Sequence, residues 1–227
     1  FLPGTGDDLC LGMENGAVAI LDKNLSVATA FQHSSQQITT IKYSPSRRLL
    51  AVGSRDTNIY LYFVPAENGT LPYSRLGVAR GHTGAVTHLD FSSDSKYIAS
   101  NDSNHKLLFW NHWGDLQTRG MNGKINKTNW STITCTLGWE TAGMWTNSDL
   151  GVVTSVDYDT SVDVLACGDS YGRVRLYAFP CSLKGNLFLD FRGHTDEISR
   201  VRFSSGGHYL YSIGRSDKCI FQWRHEI

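Results

Sequence analysis

The chain has 227 residues, 41% hydrophobic and 11% aromatic, enough for one large domain or two small ones with a substantial core. Lys+Arg and Asp+Glu stand at 21 each, so no net charge draws in nucleic acid, an anionic membrane or an acidic polymer from a distance. The longest apolar runs, such as Ala17 to Leu21, are far too short to span a membrane, and no secretory leader is expected in this stretch.

Internal repeats organise the rest. A truncated copy opens the chain, "FLPGTGDDLCLGMENGAVAIL". Four fuller ones follow: "ITTIKYSPSRRLLAVGSRDTNIYLYF" from Ile38, "AVTHLDFSSDSKYIASNDSNHKLLFW" from Ala85, "VVTSVDYDTSVDVLACGDSYGRVRLYAF" from Val152 and "EISRVRFSSGGHYLYSIGRSDKCIFQW" from Glu197. Each reads as an alternating strand, a polar turn, an apolar strand ending in small residues, a tight turn and a third strand ending in an aromatic. The third strands end near Leu21, Tyr62, Trp110, Tyr177 and Trp223, at intervals of 41, 48, 67 and 46. A propeller blade takes roughly 40–45 residues. Alternation in Ile41-Lys42-Tyr43 or Val201-Arg202-Phe203 marks half-buried antiparallel strands, and no long window keeps a helical period. The expected fold is all-β: a β-propeller portion of about five blades, the first and last incomplete, at roughly 1–30, 36–78, 82–112, 150–185 and 194–227. Five copies fall short of a closed ring, so the stretch reads as part of a larger propeller or double propeller.

The long interval carries an insertion, 113–149, with Trp113, Trp130, Trp139 and Trp145. So aromatic a segment is unlike a disordered linker. It is expected to pack on the propeller, its tryptophans closing the space between two blades.

The last copy brings together His194, Ser212 and Asp217, the ingredients of a hydrolase triad, followed by Trp223. The third copy nearly repeats them as His82, Ser100, Asn104 and Trp110, Trp110 standing six positions after Asn104 as Trp223 stands six after Asp217. An active site is seldom copied from blade to blade, whereas a structural network is. Ser212 sits inside an apolar strand, and no G-x-S-x-G elbow precedes any serine. The set is read as a structural tetrad: Asp fixes His, His reaches Ser, and Ser reaches the Trp indole. No catalytic residue is assigned and the chain is expected not to be an enzyme.

Other signals are weak. The five cysteines are odd in number and lack metal-ligand spacing, which suggests free buried thiols in a reducing compartment. His82 and His88, six apart, would point to different places along one strand, so no metal site is assigned. The glycines of "GTGDDLCLG" belong to a strand-to-strand turn, with no following helix to hold a phosphate. No cofactor and no small-molecule substrate is expected.

The Gly-His/Trp grammar is that of WD40 repeats. "TCTLGW" followed by "GMW", "ACGDSYGRVRLYAFPCS" and the closing "YSIGRSDKCIFQWR" go further and resemble the second propeller of the echinoderm microtubule-associated protein-like (EML) family, over nearly the whole chain. The resemblance implies a cytoplasmic, cytoskeletal protein with tubulin, microtubules or other proteins as partners. Contacts would come from loops at the propeller rim, because rigid blades leave loops free to vary. By position these are Gln37, Arg55, Ser103, Ser170, Asp196, Glu197 and Ser216. Microtubule binding supplied by other regions, with this stretch a general interaction scaffold, is the alternative.

Overall fold

The computed structural model describes residues 9–65, 73–117, 128–145, 150–183 and 185–224. The chain divides into two compact units, Phe1–Ser131 and Thr132–Ile227. Among the described residues all regular structure is antiparallel sheet, apart from one 3-10 turn at Ala142–Trp145.

The first unit holds three sheets. β1 (Leu9–Gly12), β2 (Ala17–Leu21) and β3 (Val27–Gln32) form the first. The second is β4 (Ile38–Tyr43), β5 (Leu49–Ser54), β6 (Ile59–Phe63) and β7 (Ser74–Ala79); the third is β8 (Val86–Phe91), β9 (Tyr97–Asp102) and β10 (Leu107–Asn111). Each is an up-and-down meander, the form of a propeller blade. Middle strands are buried on both faces: β5 runs LLAVGS, with every residue after Leu49 buried. Such a strand needs apolar or small residues throughout, which is why it lacks the alternation of β4. One core cluster (Val18, Ile20, Ile38, Leu50, Val52, Tyr62) joins the first two sheets, and another (Ala51, Leu61, Val86, Leu89, Phe91, Trp110) joins the second and third. Lys42 Nζ, 3.7 Å from Asp90 Oδ1, adds an ionic tie from β4 to β8.

The second unit holds two sheets: β11 (Val153–Asp159), β12 (Val164–Asp169), β13 (Arg173–Ala178) and β14 (Phe188–Arg192) in one, and β15 (Ile198–Phe203), β16 (Tyr209–Gly214) and β17 (Ile220–Arg224) in the other. They share a core of Ala166, Val174, Ile198, Val201 and Leu210. Gly168 lets β12 approach β15 closely, since a Cβ there would lie 2.4 Å from Ile198 Cγ2. Arg202 repeats the ionic tie, 3.9 Å from Asp157 on β11.

Two boundaries differ from the sequence expectation. The fourth repeat does not end near residue 185, because β14 pairs with β13 through Arg192. All five β14 residues are exposed, so this outer strand lacks the burial pattern that marks inner strands. The insertion also divides its work. Ser131 and Ser93 donate backbone N–H groups to Phe91 and Asn129, laying residues 129–131 along the end of β8. Within the second unit, Cys181 N–H donates to Glu140 O and Gly143 N–H to Cys181 O, which docks the "GW…GMW" stretch on the "FPCS" segment. The four tryptophans do not all close packing. Trp130 stacks on Phe109 at 5.9 Å and the Trp145 indole donates to Thr136 O, but Trp113 and Trp139 are 56% and 53% exposed. The rest of the insertion, 118–127 and 146–149, lies outside the described residues.

Candidate functional site

Two features merit a functional reading: polar networks buried between strands, and the loops those networks hold. In the fifth sheet the Trp223 indole N–H donates to Ser212 Oγ at 2.8 Å, His194 Nε2 lies 2.8 Å from the same oxygen, and His194 Nδ1 lies 2.8 Å from Asp217 Oδ2. One proton order satisfies the chain: indole to serine, serine hydroxyl to Nε2, Nδ1–H to carboxylate. Ser212 is completely buried, so its hydroxyl faces no solvent or substrate.

The third sheet builds the same chain with one change. Trp110 donates to Ser100 Oγ at 2.7 Å and His82 Nε2 sits 2.6 Å from it. The acid, however, is Asp102 rather than Asn104. Asp102 Oδ2 lies 3.1 Å from His82 Nδ1, off the line of a good N–H hydrogen bond, so the contact is a close polar approach. Asn104 instead donates to Thr83 Oγ1 at 3.3 Å. Equal spacing to tryptophan misplaced the acid because the third sheet carries its carboxylate on the first residue of the turn between β9 and β10, whereas the fifth carries it two residues before the end of the turn between β16 and β17. His82 also precedes β8 rather than sharing a strand with His88.

Burial pushes the His82 imidazole below its ordinary pKa, which keeps it neutral near pH 7 even with Asp102 alongside. For Asp102, burial alone would raise the pKa; the N–H groups of Lys106, Thr83 and Gly84, with His82, outweigh it and hold the carboxyl down to about 2. A depressed folded-state pKa stabilises above the unfolded value, near 3.9, and that contribution is lost as pH falls toward about 2. The stability gap between the parent and Asp102→Asn, from urea unfolding, should therefore shrink between pH 5 and 2. A gap constant over that range would remove the carboxylate from the account.

Sequence reading missed the corresponding network in the fourth sheet. Arg175 and Asp169, both fully buried, pair at 3.0 Å. Arg175 also donates to Tyr177 Oη at 3.0 Å and lies 5.9 Å from the Phe188 ring centre, while its Nε has no acceptor among the described residues. An arginine in RVRLYA looks like the solvent-facing half of an alternating strand. Only its place opposite Cys167 in the sheet shows that it points inward. Cys167 is buried too, and burial pushes its thiol up to about 12. Of the other cysteines, Cys135 and Cys181 are buried, Cys10 is half-buried and Cys219 is exposed on its turn, so the expectation of uniformly buried thiols does not hold.

The proposed rim residues fall on one recurring rung. Arg55 N–H donates to Gln37 O, Ser103 to Ala85 O, Ser170 to Val152 O and Arg215 to Glu197 O, all at 2.8–2.9 Å. Gln37, Arg55, Ser103, Ser170 and Glu197 thus share one structural position at the ends of their sheets. In the fifth sheet the partner is Arg215, not Ser216, because the turn between β16 and β17 is one residue longer than that between β9 and β10.

The chain matches the model of the echinoderm microtubule-associated protein second β-propeller over residues 3–225. It is 32% identical over 222 residues to echinoderm microtubule-associated protein-like 4 of Xenopus laevis, and 31% identical to echinoderm microtubule-associated protein-like 1 of Rattus norvegicus over the same length. These alignments take in 97% of this chain but only 24% and 27% of those relatives. A chain of the mitotic checkpoint complex crystal structure superposes with a TM-score of 0.75 over 97% of this chain and 72% of its own length; at 17% identity that likeness shows the fold alone. Repeats, family-specific motifs and sheet architecture converge: this chain belongs to the echinoderm microtubule-associated protein family, as a β-propeller of its second-propeller type.

Proposed function

We propose that this chain is a non-enzymatic protein-binding scaffold that contacts tubulin, or a partner attached to microtubules, through its loop rim, and that it works in the cytoplasm on the cytoskeleton. The observation that carries the reading is membership, over residues 3–225, of a family named for microtubule association. The rim rungs support it, since they hold Gln37, Arg55, Ser103, Ser170 and Glu197 on rigid sheet ends, with Asp196 and Ser216 beside them.

Charge narrows the mode of contact. With 21 basic and 21 acidic residues the chain offers no polybasic grip for an acidic lattice. Recognition then rests on shape and local pairing, which salt weakens little. Titrating unpolymerised tubulin dimer into the protein at about 50 and 200 mM salt, either side of physiological screening, should give saturable binding that changes little between the two. A double change of rim charge, Arg55→Glu with Glu197→Lys, should weaken it at both.

A second reading has its own support, because the chain spans about a quarter of the length of its relatives. In it, microtubule attachment lies in other regions and this propeller carries a different protein. Absence of tubulin binding at either salt concentration would sink the first reading in favour of the second.

A further inference from the structure

The turns that end in the rim rungs share a second regularity. Four sheets have a described inner strand, and each joins its two middle strands by a turn: 54–58, 102–106, 169–173 and 214–219. Each turn holds one carboxylate at one of two places. In the third and fourth sheets it is the first residue, Asp102 or Asp169. In the second and fifth it is the residue two before the end, Asp56 or Asp217. The other place is then never acidic: Asn104 and Tyr171 in one pair of sheets, Ser54 and Gly214 in the other.

From either place the carboxylate does the same two jobs. One oxygen accepts the N–H of the turn's last residue: Asp56 from Asn58, Asp102 from Lys106, Asp169 from Arg173 and Asp217 from Cys219, all at 2.9–3.0 Å. The other oxygen reaches away from the turn. Asp102 takes Thr83 and Gly84 N–H at 3.1 and 3.2 Å, Asp217 takes His194 and Thr195, Asp56 takes the Ser34 hydroxyl, and Asp169 takes Arg175. In three sheets of the four this second oxygen binds the loop that leads into the inner strand, so one side chain ties together the two loops that form that sheet's rim. The first sheet, with no described strand ahead of β1, has Met13 and neutral Asn15 at the two places.

In the fifth sheet the two places compete for one volume. A Cβ on Gly214 would lie 1.9 Å from Asp217 Oδ1, so the Asp217 carboxylate occupies the space in which a side chain at 214 would begin. Gly214 has no left-handed backbone angle to explain it; room for the neighbouring carboxylate does.

We infer that the rim-tying carboxylate is exchangeable between the two turn positions, and that Gly214 is glycine because Asp217 supplies it from the other one. Gly214→Asp together with Asp217→Asn gives the fifth sheet the residues of the third, with Thr195 waiting for the new asparagine as Thr83 does for Asn104.

The test is a cycle of Gly214→Asp, Asp217→Asn and the double variant, by thermal melting and by the Thr195 amide proton resonance. Each single change should lower the melting temperature by roughly 4–8 °C, the first by crowding two carboxylates and the second by removing the only one. The double variant should return to within about 2 °C of the parent and regain the hydrogen-bonded Thr195 amide shift that Asp217→Asn loses, as Thr83 N–H is bound by Asp102. The reverse exchange in the third sheet, Asp102→Gly with Asn104→Asp, should rescue likewise. Double variants that lose the sum of the single losses, or fail to fold where a single variant folds, would overturn the inference.

Discussion

Arg175→Ala is expected to cost about 3–5 kcal/mol, because it leaves the carboxylate of Asp169 buried without its counter-charge. The Tyr177 hydroxyl loses its donor in the same step. Urea unfolding should show a lower midpoint with an unchanged slope. Replacing both partners by apolar residues, Arg175→Met with Asp169→Leu, should recover part of the loss but not all. Asp169 also accepts the N–H groups of Tyr171 and Arg173, and these would be stranded. Arg173→Ala is the contrast: its pair with Asp190 at 3.1 Å is partly exposed on both sides and should be worth about 0–1 kcal/mol. A cost for Arg175→Ala no larger than that of Arg173→Ala would show that the buried pair holds nothing together.

Trp110→Ala should cost a similar amount, about 3–5 kcal/mol, since it empties a wholly buried indole site beside Phe91, Leu89 and Ile98. Trp110→Phe separates packing from hydrogen bonding. It keeps much of the ring and loses the N–H to Ser100, for which about 1 kcal/mol is usual, plus the volume that phenyl leaves empty. The same substitution at Trp223 should cost less. That indole makes an equivalent bond to Ser212, but its ring is half-exposed and packs on Phe221 and Phe191. Equal costs at the two sites would mean that the hydrogen-bonded chain, and not the buried area, sets the stability of these sheets.

Much of this protein was legible before any coordinates. The copies ending near Leu21, Tyr62, Trp110, Tyr177 and Trp223 identified a repeating meander, because four of the five described sheets meet the same demand for a doubly buried middle strand between tight turns. The nearness of Ser212, Asp217 and Trp223 was visible too, since local spacing along a hairpin nearly determines which side chains can meet, while His194 comes to them from the loop ahead of β15. Outer strand β14 was not legible: a strand exposed along its length carries no burial pattern, and its place comes from pairing with β13.

Tertiary structure alone decided which acid serves His82, that Arg175 points inward, and that the rim rung falls on Arg215. Each of these turns on register. One added residue in the turn between β16 and β17 moves the rung relative to tryptophan, and the carboxylate takes a different place in that turn from the one it takes between β9 and β10. Whether a strand side chain faces solvent or a neighbouring sheet depends on what packs against it. Repetition along the chain specifies the kind of unit, whereas the contacts within and between units depend on side chains distant in sequence, whose alignment a periodic pattern does not contain.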